Sequence, residues 1–175
     1  ARESSVEALA LDPADFPTRE LFDSALFDSV LAARPALVVC AGFMRILSAT
    51  SVARTGGRMI NIHPSLLPLY PGLRTHARAL AAGDAWHGTT VHQVVATVDA
   101  GAAIAQARVP VQAGDDAEAL ATRVLAREHP LLVAVVRAFA EGQLTAGPSG
   151  VAWRGNPLHA PLSLDSMDIE LEMRA

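Results

Sequence analysis

Asn61, His63 and Asp99 are the side chains of this 175-residue sequence whose types suit one reaction together. An amide N–H can hold an oxygen that gains negative charge. A histidine can move a proton near neutral pH, and a nearby carboxylate favours its charged form and fixes its orientation. These are parts for acyl-type transfer without a protein nucleophile. Asn61 and His63 stand in Asn61-Ile-His63-Pro-Ser65-Leu-Leu-Pro68-Leu-Tyr-Pro71-Gly72. Residues 59–62 read as a strand, and Pro64, Pro68 and Pro71 stiffen the next residues into an irregular loop. Two residues apart in extended backbone, Asn61 and His63 project from one face. They would stand at the carboxyl end of a strand, where open α/β sheets bind ligands. Taken alone, the stretch equally fits a proline-rich turn with a self-bonded Asn and a packed His.

Other chemistries fit less well. All 14 basic residues are Arg, which excludes a Schiff-base lysine and a Walker-type phosphate loop within these 175 residues. The single cysteine, Cys40, lies in Leu37-Val-Val-Cys-Ala and reads as a small buried hydrophobe. One cysteine allows no internal disulfide and fits a reducing compartment, so a cytoplasmic location is expected. Ser65 lacks a G-x-S-x-G elbow. Six histidines occur, but no H-E-x-x-H or C-x-x-C spacing does. A zinc site of His63, His76, His92 and Asp99 is the disfavoured alternative, and no metal is expected. A net charge of −4 without clustered Arg argues against nucleic acid. No apolar run is long enough to span a membrane, and no signal peptide is visible.

The surrounding elements follow from periodicity. With 51% hydrophobic residues the chain can build a real core. Residues 1–5 read as the end of a helix and 6–11 as a short strand. Residues 18–33 read as an amphipathic helix with Phe22, Leu26 and Val30 on one face. The apolar run 36–42 reads as a parallel strand covered on both faces. Ser48 can cap a short helix to Arg54. Residues 75–82 read as a helix closed by Gly83, and 88–95 and 103–111 as adjacent antiparallel strands. Asp115 and Asp116 open a long helix that Pro130 should kink or split. Residues 151–154 read as a final edge strand. The pattern predicts an α/β, Rossmann-like open and mostly parallel sheet with helices on both faces. A single domain is expected over residues 1–155, with an acidic, unpatterned and mobile tail over 156–175.

Three ordered motifs carry a resemblance. They are Ala41-Gly-Phe-Met-Arg-Ile-Leu-Ser48, Asn61-Ile-His-Pro-Ser-Leu-Leu-Pro68 with Tyr70-Pro71-Gly72, and Gly88-Thr-Thr-Val-His92 followed by Val98-Asp99-Ala-Gly101. From about residue 19 to about residue 144 the chain resembles the folate-dependent formyltransferases, and among them the branch of purine synthesis. The resemblance implies transfer of a formyl group from 10-formyltetrahydrofolate, as co-substrate, to the amine of glycinamide ribonucleotide. It implies Asn61 and His63 as catalytic residues, and Asp99 as the carboxylate that supports the charge of His63. It implies a pterin cradle of Met44, Arg45, Ile46 and Leu47, and a second folate loop of Val95, Ala96, Thr97, Val98 and Asp99. Asn61 is expected to touch the folate too. Arg19 matches an arginine near the folate tail, where a guanidinium suits a carboxylate. Leu125, Ala126, Arg127 and Glu128 match a segment touching the ribonucleotide, with Glu128 suited to ribose hydroxyls. The expected partners are small molecules, not nucleic acid or membrane, and the expected state is a monomer or homodimer.

One departure stands out. The family opens with a strand and a Gly-Ser-Gly-Ser-Asn-like loop that seats the substrate phosphate on a helix end. These 175 residues contain no match to it. The chain begins at Ala1 rather than Met, so an upstream segment is expected. The alternatives to transfer are hydrolysis of the formyl folate, or a non-catalytic folate-binding remnant.

Overall fold

The computed structural model describes residues 6–164 and divides into two compact units, Ala1–Pro35 and Ala36–Ala175. Residues 1–5, expected as a helix end, lie outside the described residues. In the first unit Asp12 accepts the Ala14 N–H and opens a short 3-10 turn, Pro13–Asp15. Residues 6–11 form no strand; Asp12-Pro13 turns the chain directly. Thr18 Oγ1 accepts the Leu21 N–H at 3.3 Å and starts α1, Arg19–Ala32, within one residue of the expected bounds. Phe22 and Phe27 are its buried aromatic residues.

The second unit is built on a five-stranded sheet in the order β1-β2-β3-β4-β8. The strands are β1 (Val38–Cys40), β2 (Met59–His63), β3 (Trp86–Gln93), β4 (Ala103–Pro110) and β8 (Leu162–Ser163). β1 and β2 pair in parallel, β3 is antiparallel to both neighbours, and β4 and β8 pair in parallel. Four strands therefore share one direction and only β3 is reversed, which is the mostly parallel α/β sheet expected. Gly88 of β3 lies so close to β4 that a Cβ would run into the Ala107 carbonyl oxygen, so no larger residue fits. β1 is an edge strand of this sheet with Val39 exposed, not a strand covered on both faces.

Ile60 and Ile62 of β2, Val91 of β3 and Ile104 of β4 join one core cluster with Leu131, Val135 and Ala138. The last three lie on α4, Ala117–Ala140, which begins where the Asp116 carboxylate accepts the Ala119 N–H. α4 runs through Pro130 as one helix, not two. Proline removes one i→i−4 bond, and the buried stripe on either side holds the helix together. α2 (Ala49–Ala53) is capped by Ser48, and α3 (Thr75–Ala82) ends at Gly83 at positive φ, both as expected.

Two readings of the C-terminal part are corrected. Residues 150–153 do form a strand, but in a separate three-stranded sheet, not on the main sheet. That sheet holds β5 (Leu144–Gly147), β6 (Gly150–Trp153) and β7 (Asn156–Pro157). The stretch from Asn156 is not unpatterned either. Leu162 of β8 pairs with Ala105, and Leu164 is 1% exposed in the main core. Residues 165–175 lie outside the described residues.

Candidate functional site

The loop after β2 is fixed by its own hydrogen bonds. Thr90 Oγ1 donates to the Ser65 carbonyl and accepts the Leu67 N–H, and Gln106 donates to the Leu67 carbonyl. Ser65 Oγ donates to the Leu69 carbonyl, so this serine is structural, not nucleophilic. Tyr70 Oη donates to Asp84, and Arg78 lies over the Tyr70 ring and donates to the Pro71 carbonyl. The loop borders a cleft of about 600 Å³. Tyr70, Arg74 and Asp99 all take positive φ around it. Non-glycine residues held there are uncommon and concentrate where a side chain or carbonyl must be aimed.

Asn61 and His63 leave β2 on the same face and both line the cleft, and Asp99 reaches it from the loop after β3. The His63 ring is 6% exposed. Its Nδ1 is 3.3 Å from Asp99 Oδ2, and its Nε2 is 3.0 Å from the Tyr70 carbonyl oxygen. Both partners are acceptors, so each ring nitrogen of His63 faces a group to which it can donate. Asp99 Oδ2 also accepts the Gly72 N–H at 2.8 Å, which ties the carboxylate to the proline-rich loop.

The cleft walls are apolar. Met44 and Ile46 are 77% and 59% exposed on the loop between β1 and α2, and Arg45 and Leu47 line the cleft beside them. Val95, Ala96 and Val98 line it from the loop after β3. Thr97 does not; it is exposed and its carbonyl closes the turn to Ala100. Of the α4 segment only Glu128 lines the cleft, and burial pushes its carboxyl pKa up. Leu125 and Ala126 are exposed and Arg127 is half-buried, none of them lining it. Arg19, in the first unit, is exposed and pairs with Glu20 at 3.4 Å. Among the described residues no group of three or more His, Cys, Asp or Glu could hold a metal ion. No helix among them is long and apolar enough to cross a membrane.

His92, His76 and Leu73 also line the cleft, and sequence reasoning gave none of them a role in it beyond the disfavoured zinc set. Alternation along β3 could place His92 on one face, but only the register Asn61↔His92 brings it to the site. His76 Nδ1 is 3.2 Å from His87 Nε2. Burial, then His76, push the His87 pKa down to about 4, while Asp84 and a bond to the Pro64 carbonyl oppose this. Its folded pKa thus lies below the ordinary 6.5. Between these values the unfolded chain binds a proton that the folded chain refuses, so stability falls as pH falls from about 6.5 to about 4. Melting temperatures across that window should drop for the wild type and drop less for His87→Gln. Equal slopes would exclude His87 as the cause.

With this site in place, the comparisons with known proteins fall on one class. The family model described as formyl transferase matches residues 1–136, and the chain belongs to that family. It is similar to phosphoribosylglycinamide formyltransferase of Escherichia coli (strain K12), 46% identical over 144 residues, 82% of this chain and 68% of that protein. The Mycobacterium tuberculosis (strain ATCC 25618 / H37Rv) protein of the same name is 46% identical over 145 residues, 83% of this chain and 67% of that protein. Among solved structures, the Coxiella burnetii phosphoribosylglycinamide formyltransferase superposes with a TM-score of 0.80 at 46% identity, covering 86% of this chain and 71% of that chain. Glycinamide ribonucleotide transformylase 1 from Symbiobacterium toebii gives 0.81 at 43% identity, covering 87% and 72%.

Proposed function

We propose that this chain transfers the formyl group of 10-formyltetrahydrofolate to the amine of glycinamide ribonucleotide, a cytoplasmic step of purine synthesis. The observation that carries the reading is the convergence of Asn61, His63 and Asp99 on one apolar cleft. The names of the similar proteins agree with it. A flat pterin suits the space between the Met44–Leu47 and Val95–Asp99 loops, whose side chains facing the cleft are mainly apolar. Backbone groups of these loops would read its polar edge, and Glu128 would accept from the ribose hydroxyls.

In the transfer, the amine nitrogen bonds to the formyl carbon and the bond from that carbon to the folate nitrogen breaks. One proton moves from the amine to the departing nitrogen. Asn61 Nδ2–H and the His63 Nε2–H, turned from the Tyr70 carbonyl, hold the oxygen that becomes negative. Asp99 supports the positive charge of His63, and a water beside Asp99 relays the amine proton. The test is an assay of the protein with both substrates, reading formylated ribonucleotide and free formate separately. Formylated product with stoichiometric folate release is expected. Formate alone would establish hydrolysis instead, and folate binding without either product would establish a non-catalytic binder.

A further inference from the structure

Two histidines face the same carboxylate, yet their surroundings differ. His63 has an acceptor at each ring nitrogen. His92 does not. Its Nδ1 is 3.0 Å from the Gln93 carbonyl oxygen, which can only accept, so Nδ1 carries the proton. Its Nε2 is 3.2 Å from the Asn61 side-chain nitrogen, which can only donate. Asp99 Oδ1 is farther from Nε2, at 3.5 Å, and the His63 ring stands edge-on at 6.5 Å between centroids. The His92 ring is 2% exposed, and burial is the main cause that lowers its pKa. A neutral ring with its proton on Nδ1 leaves the Nε2 lone pair pointing at Asn61. β3 holds it there because Asn61 and His92 are direct cross-strand partners.

We propose that His92 is a positioning residue for formyl transfer, whose Nε2 accepts one Asn61 N–H and so aims the other at the oxygen that becomes negative. An Asn amide has two orientations that differ by half a turn. With its carbonyl oxygen toward His92, two lone pairs would face each other and the site would lose its amide donor. With nitrogen toward His92, one N–H is held and the second is free for the substrate. His92 thus decides which face of the amide the cleft presents, and it does so before substrate arrives. That pre-set orientation is what makes a neutral donor effective at a developing charge.

The inference rests on the transfer reading, so its test has two arms. Steady-state rates are measured for His92→Phe, which keeps the ring shape without an acceptor, and for His92→Gln, whose carbonyl oxygen can replace Nε2. His92→Phe should lower kcat at least about tenfold with the folate KM within about threefold, and His92→Gln should recover most of the loss. Asn61→Ala combined with His92→Phe should be no slower than Asn61→Ala alone. A folded His92→Phe protein with native kcat, or losses that multiply in the double variant, would overturn the role. The second arm reads the imidazole nitrogen resonances of His92 in the substrate-free protein, with Nδ1 protonated and Nε2 bare expected at about pH 7.5, above the ordinary histidine pKa. A protein that transfers formyl but has Nε2 protonated refutes the positioning role alone. A protein with the expected tautomer that transfers nothing refutes the transfer reading and the role with it.

Discussion

Asp99→Asn should lower kcat for formyl transfer by about two to four powers of ten while leaving the fold and folate-analogue binding intact. Asp99 sits at φ 53°, a backbone region that Asn adopts as readily as Asp, so the loop has no reason to move. The amide oxygen can still accept the Gly72 N–H. Its nitrogen then replaces Asp99 Oδ1, the atom 3.5 Å from His92, and the side chain no longer carries a charge. His63 loses the anion that faces its Nδ1, and a protonated ring in a nearly closed environment becomes costly to form. His63→Ala should be at least as slow, since it removes the donor itself. Steady-state assays beside circular-dichroism melts decide the matter. Near-normal turnover in a folded Asp99→Asn protein would remove Asp99 from the mechanism.

Asn61→Ala should lower kcat by about two to three powers of ten with little change in folate KM, because its amide acts on an oxygen that is charged only during attack. Asn61→Asp should be slower still. A carboxylate there would face both the oxyanion and Asp99, and could not donate to His92 Nε2 when ionised. The rival reading makes Asn61 a shaper of the turn before Pro64. It predicts early melting for both variants and a milder effect for Asp. The partner of the Asn61 side chain is His92, a residue across the sheet, rather than any backbone group of that turn, which argues against the rival. Measuring kcat, KM and melting temperature for both variants separates the two readings.

Local chemistry in the sequence was enough for the capped and stopped elements. Thr18, Ser48 and Asp116 announce their helices because each side-chain oxygen caps a backbone N–H within three residues. β2 and its proline-rich loop were legible for the same reason, and with them the shared face of Asn61 and His63. What escaped depends on partners distant in sequence. β8 is two residues long and exists because β4, over 50 residues earlier, offers it an edge. β5 lies in a short Leu-Thr-Ala-Gly run that has no strand signal until β6 folds back on it. Within the α4 segment, only a helix docked on the sheet distinguishes Glu128, which reaches the cleft, from Leu125 and Ala126, which face outward. His92 was a residue without a task for the same reason, since alternation gives a face but not a partner.

The pairing of β8 with β4 also bears on where the polypeptide can safely be cut. Composition invites a trim at residue 155, after which the sequence looks dispensable. Such a trim would uncover β4 at Ala105 and Gln106, the residues that β8 pairs with, and would strip Leu162 and Leu164 from the core beside it. An open rim of that kind templates other chains, and the shortened protein would be recovered as aggregates. Engineering of this chain for expression or crystallisation should therefore keep residues up to at least 164.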